Sequence, residues 1–172
     1  AGMDTGPMLL KKTILMDFDE TAADLSPRLA EAGAALLIET LRSLKEGTLK
    51  AIPQNDAETS MAPLIKKEDG LLPWQMSAQD IFNRWRGLTP WPGLTTYYKK
   101  TRWKMTLMGL GATEGHFGAP GEIVRLSSKG LEIAAGSGYI LLKTVQADGK
   151  RAMPAKAYAA GHPIEMGTIL GP

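Results

Sequence analysis

The chain has 172 residues, room for one or two small domains, and its 44% hydrophobic content is ordinary for a folded core. It has no cysteine, which excludes a disulfide scaffold and a cysteine metal site, and no apolar run long enough to span a bilayer. A net charge of +2 conceals a split: residues 1–60 carry six Lys/Arg against ten Asp/Glu, and residues 61–172 carry fourteen against eight.

The split predicts two units with different partners, the second facing something anionic. In chain order, Asp4-Thr5-Gly6-Pro7 comes first. A short carboxylate followed by a Gly-Pro turn is a means of holding an acid at a pocket mouth, so Asp4 is the candidate catalytic residue. These residues read as the middle of an active-site motif, with the rest of the site expected upstream of Ala1. Met8 to Leu15 reads as a strand. Thr21, with Asp24 three residues on, reads as a helix cap, followed by Leu25, Leu29 and Ala32 at helical spacing. Pro27 shifts that helix's start toward Ser26, and Gly33 breaks it. A second helix then carries Leu37, Leu41 and Leu44 and stops at Gly47. A strand and two amphipathic helices suit the closing part of an α/β domain over 1–49. Residues 50–70, punctuated by Pro53, Asn55, Asp56 and Pro63, read as a linker.

From residue 71 the pattern changes. Ser77 and Asp80 form a capping box for a helix whose stripe is Ile81, Phe82, Trp85 and Leu88, flanked by Arg84 and Arg86. Thr89-Pro90-Trp91-Pro92-Gly93 ends it as a stiff turn around a large aromatic. Trp85 and Trp91 are read as aromatics filling a small core, with a base-stacking platform as the alternative. Tyr97 to Met108 alternates like one strand. Lys100, Arg102 and Lys104 fall on one face, about 6.6 Å apart, and Thr101, Trp103, Met105 and Leu107 fall on the other. A row of cations at that spacing suits a phosphate backbone; an edge strand protected by lysines would look similar. GEIVRL and GLEIAAG form a hairpin through Ser127-Ser128-Lys129-Gly130, and YILLKTVQA is a further strand. Asp148-Gly149-Lys150-Arg151 precedes an alanine-rich helix between Pro154 and Gly161, and MGTIL closes the chain. About five strands with one or two helices predict a small closed or half-closed barrel.

The chain has no phosphate-binding glycine loop and no metal-ligand cluster. His116 and His162 lie far apart in loop-like segments and are read as surface residues.

Several blocks in order carry a resemblance: GMDTGPML, DETAADL with RLAEAGAALLIETL, IKKEDG, SAQDIFNRWRGLTPWPG and GKRAMPA…GTIL. Over essentially its whole length the chain resembles the C-terminal part of the bacterial methionyl-tRNA formyltransferase family. The resemblance implies the end of a folate-binding α/β catalytic domain, mostly helical here, then a linker, then an OB-like β-barrel domain over 71–172 that helps hold tRNA. It implies transfer of a formyl group from 10-formyltetrahydrofolate to methionyl initiator tRNA, in the cytoplasm, by a monomer, without a metal or a membrane. In the family an Asn and a His stabilise the oxyanion and an Asp assists proton transfer; only the Asp maps here, onto Asp4. The resemblance puts Lys67 of the linker near tRNA; with it, the tRNA-facing candidates are Lys66, Arg84, Arg86, Lys100, Arg102, Lys104, Lys150 and Arg151. Leu64, Thr89 and Pro154 depart from the family's usual Lys, Asn and Ser. Two alternatives stand beside this: a stand-alone RNA-binding module, and another 10-formyltetrahydrofolate enzyme, such as a hydrolase or sugar formyltransferase.

Overall fold

The computed structural model describes residues 5–171, and its contacts divide the chain into two units at Leu64/Ile65. Asp4 lies outside the described residues.

The first unit is built on one helix, α1 (Ala22–Glu46). Thr21 starts it: its backbone N–H (3.0 Å) and its hydroxyl (2.6 Å) both donate to the Asp24 carboxylate, which holds that acid below its ordinary pKa. Gly47, in the left-handed region, ends it, donating its N–H to the Leu44 carbonyl. The break expected at Gly33 does not occur, and Pro27 lies inside the helix. A mid-helix glycine costs only about 1 kcal/mol against alanine, too little to divide a long helix. The strand expected over Met8–Leu15 shrinks to one antiparallel bridge, Met8 with Ile52, closed by two 2.8 Å hydrogen bonds. No residue of α1 is buried, and Leu29, Leu37, Ile38, Leu41 and Leu44 lie exposed along it.

The second unit holds the core. Short 3-10 turns at Asp56–Glu58 and Lys67–Gly70 fall on either side of the division. Ser77 caps α2 (Ala78–Leu88), its hydroxyl oxygen accepting the Asp80 N–H at 3.1 Å, and Ile81, Phe82, Trp85 and Leu88 form the buried stripe, as the sequence predicts. The strands are β1 (Leu94–Tyr98), β2 (Thr101–Leu110), β3 (Ile123–Ser127), β4 (Gly130–Ala134), β5 (Tyr139–Ala147) and β6 (Met153–Pro154), followed by the short helix α3 (Ala155–Gly161). All pairings between them are antiparallel, in the order β1-β2-β5-β4-β3, with β6 on β5.

Two strand expectations are corrected, and the barrel expectation is narrowed. The single strand read from Tyr97 to Met108 is the end of β1 and most of β2, divided by a tight turn in which Lys99 adopts φ 55. Local alternation carries straight through that turn and hides it. Leu107, read on the same face as Trp103 and Met105, is exposed, because the pairing with β5 slips around it and turns Met108 inward. The expected barrel is an open sheet in its strand path: β1 and β3 are not paired with each other among the described residues. The C-terminal segment bonds to both: at β3 the Ile123 N–H donates to the Thr168 carbonyl (2.9 Å) and the Gly167 N–H to the Ile123 carbonyl (2.8 Å), and at β1 the Gly171 N–H donates to the Tyr97 carbonyl (3.0 Å).

Trp103 lies at the centre, fully buried. Its ring stacks on Tyr98 (centroids 4.8 Å apart) and meets Tyr158 of α3 edge-on (5.2 Å). Gly138 sits at a turn that only glycine fits. With φ at +75°, a side chain there would bring its Cβ within 2.1 Å of the Ala112 carbonyl.

Candidate nucleic-acid interface

β2 runs between β1 and β5, so its cations do not guard a free edge. That removes the structural alternative for them. Trp103 and Met105 point into the core, and by strand alternation Arg102 and Lys104 point to the other face. Both are half-buried at a groove of about 270 Å³ lined by Pro92, Thr95, Gln146, Asp148 and Gly149.

Register builds the groove. Lys104 lies opposite Gln146 of β5, and the Asp148 N–H donates to the Arg102 carbonyl at 3.1 Å. The turn leaving β5 folds back at once: Lys150 N–H donates to Ala147 (3.0 Å), and the Gln146 side-chain amide donates to the Lys150 carbonyl (3.0 Å). Lys150 and Arg151 are thereby exposed beside the groove. Lys104 is steered from the opposite wall. Its stem passes over Gly93, where a Cβ would meet Lys104 Cε at 2.5 Å, and its ammonium donates to the Pro90 carbonyl at 3.5 Å. Among the described residues no ion pair engages Arg102, Lys104, Lys150 or Arg151; the pairs present are Arg28–Glu20, Lys99–Glu165 and Arg125–Glu132. Cations held in place without a protein counter-charge are what a phosphate backbone needs. Asp148 is the one acid in the lining.

Other predicted residues are placed differently. Lys100 sits in the β1–β2 turn beside Lys99, whose ammonium is tied to Glu165 at 2.6 Å and held above its ordinary pKa by that bond. Lys66 and Lys67 are exposed at the start of the second unit. Arg84 turns inward and donates to the Asp69 carbonyl at 2.6 Å. Arg86 donates to the Asn83 side chain at 2.9 Å and lies over the Phe82 ring. Arg84 ties α2 to the turn before it, Arg86 packs on α2 itself, and neither lines the groove. Of the tryptophans singled out, Trp85 is buried as predicted, while Trp91 is 59% exposed. Gln146 carried no local signal; only the pairing of β2 with β5 brings it to Lys104.

Two further concavities belong to the same unit. One, of about 530 Å³, is lined by Tyr139, Ser127, Lys129 and the Arg125–Glu132 pair, whose charges answer each other through bonds of 2.8–3.1 Å. The other, of about 460 Å³, is lined by Leu72, Trp74, Arg84 and Ile169. Among the described residues no His/Asp/Glu cluster could hold a metal ion, and no helix is long and apolar enough to cross a membrane.

The sheet, the helix α2 packed on it and the cationic groove make up a β-rich, basic module. Residues 64–163 match the family described as "Formyl transferase, C-terminal domain", and the chain belongs to that family. It is 40% identical over 171 residues to a methionyl-tRNA formyltransferase of Acetivibrio thermocellus, covering 99% of this chain and 55% of that protein. It is 42% identical to one from Trichlorobacter lovleyi, covering 99% of this chain and 53% of that protein. The resemblance drawn from the motifs is thus borne out, and the chain spans about half the length of these relatives. Among solved structures, HypX from Aquifex aeolicus in complex with tetrahydrofolic acid superposes with a TM-score of 0.62 at 16% identity, over 98% of this chain and 32% of that one. An N-formyltransferase from Helicobacter canadensis, in complex with folinic acid and dTDP-3-aminofucose, gives 0.60 at 18%, over 82% of this chain and 51% of that one. At these identities the likeness is one of fold.

Proposed function

We propose that this chain is the C-terminal part of a cytoplasmic, monomeric methionyl-tRNA formyltransferase, and that its second unit, an OB-like half-barrel, holds initiator tRNA. The observation that carries the reading is the groove of Arg102 and Lys104. It is a cationic, unpaired surface on a central strand, in a chain whose relatives of the same family act under that name. Lys150 and Arg151 extend it, and Lys66, Lys67 and Lys100 supply weaker contacts around it. The barrel reading is supported by the C-terminal segment, which bonds to both sheet edges. In this reading Asp4 assists removal of the proton from the methionyl amine as that nitrogen attacks the formyl carbon. 10-Formyltetrahydrofolate enters as co-substrate, without a metal. In this reading the folate site lies with the oxyanion-stabilising Asn and His that the family resemblance implies.

The purified chain, mixed with initiator methionyl-tRNA and 10-formyltetrahydrofolate, is therefore expected to retain the tRNA on a filter at low salt and to leave the methionine unformylated. Failure to bind tRNA at low salt overturns the assignment of the second unit. Measurable formyl transfer by this chain overturns the placement of the folate site. A sugar formyltransferase would give neither binding nor transfer.

A further inference from the structure

We infer that Trp91 is a stacking platform for one unpaired base of an RNA whose phosphates lie along Arg102 and Lys104; this rests on the tRNA reading above. The chain has four tryptophans, and three of them, Trp74, Trp85 and Trp103, are 3%, 4% and 0% exposed. Trp91, on the same unit, is 59% exposed. It is the one indole of the four that an incoming base can reach.

Its setting supports that contact. Trp91 sits between Pro90, whose carbonyl accepts the Lys104 ammonium, and Pro92, which lines the groove. An exposed indole is therefore carried on a loop whose flanking residues touch Lys104 and the groove, and stacking together with backbone charge is the combination that binds single-stranded nucleic acid. A protein partner seated on an indole would favour an apolar surround, and the groove's polar lining does not supply one. The platform is also preorganised. Two prolines fix backbone angles on either side, the Thr89 hydroxyl donates to the Trp85 carbonyl at 2.7 Å, and Gly93 N–H closes the loop on Leu88 at 2.8 Å. Little loop freedom remains to be lost when a base arrives.

The inference separates two kinds of contact that a bare cation row cannot. Arg102 and Lys104 take phosphates irrespective of pairing, whereas a base reaches Trp91 only if it is out of the helical stack. The intact chain should thus prefer RNA with unpaired bases over a blunt duplex of equal length. Because the other three indoles are buried, quenching of tryptophan fluorescence on binding reports on Trp91.

The test is a fluorescence and filter-binding titration of the 172-residue chain with initiator tRNA and with a blunt RNA duplex, for wild type, Trp91→Ala and Trp91→Phe. Expected are quenching by tRNA but not by the duplex, and a loss of tRNA affinity of about 5- to 150-fold in Trp91→Ala. The slope of log affinity against log salt should stay unchanged, and Trp91→Phe should recover most of the loss. Wild-type affinity in Trp91→Ala, or its loss together with a full unit of salt slope, overturns the stacking role while leaving tRNA binding in place. Absence of tRNA binding by the wild-type chain overturns the underlying reading, and the two failures are thereby told apart. Equal urea midpoints for wild type and Trp91→Phe exclude a folding defect as the source of any difference between them.

Discussion

Replacing Trp103 with alanine is expected to destabilise the second unit by about 3–5 kcal/mol, enough to unfold a large fraction of it near its native temperature. Trp103 is fully buried and holds three elements at once. It lies opposite Thr96 of β1 and Ala147 of β5, stacks on Tyr98 and meets Tyr158 of α3 edge-on. Truncation leaves a cavity that strands on both sides cannot close without breaking their ladders. The indole N–H has no hydrogen-bond partner in the core, so Trp103→Phe removes an unsatisfied donor along with some volume. It should cost less than about 2 kcal/mol. Urea unfolding followed by circular dichroism checks both values. A Trp103→Ala midpoint close to wild type would contradict this account of the core. The functional consequence follows from the same strand: Arg102 and Lys104 flank Trp103, and loss of β2 scatters the groove.

Reversing both groove charges, Arg102→Glu with Lys104→Glu, is expected to weaken tRNA binding by about 100-fold at low salt while leaving the fold intact. Each phosphate contact contributes about 0.9 to the slope of log affinity against log salt, so the double variant should also lower that slope by about two. Lys104 is anchored over Gly93 by its aliphatic stem, and the change to a shorter carboxylate leaves that stem's place to water instead of opening a cavity. Lys129→Glu with Lys143→Glu, in the same unit, serves as the control, since it makes the same change in net charge at residues that do not line the groove. Equal losses in the control and the double variant would mean that tRNA senses only net charge.

Much of the second unit could be read from local chemistry. Ser77 with Asp80 announces α2, the Ile81–Leu88 stripe gives its buried face, and Ser128-Lys129 is a two-residue turn between paired Ser127 and Gly130. Arg102 and Lys104 were visible as cations on one strand face. What stayed hidden depends on partners distant in sequence. Lys99 takes a left-handed turn in the middle of an unbroken alternation, and the slip around Leu107 exists only in the pairing with β5. Gln146 becomes part of the groove through that same pairing. Arg84 looked like a free cation until the fold brought the Asp69 carbonyl to it. Trp91 and Trp85 are alike in composition and neighbourhood, and only the packing of α2 against the sheet decides which one is buried. In the first unit, local signals overstated punctuation: the glycine and proline of α1 are overridden by the length of the helix and its capping.

The most direct measurement is tRNA affinity of the unaltered chain across a series of salt concentrations. The account predicts a straight line of log affinity against log salt with a slope between about −2 and −4, set by Arg102, Lys104, Lys150 and Arg151. A flat line, or binding too weak to detect at the lowest salt, would show that this surface does not hold an RNA backbone.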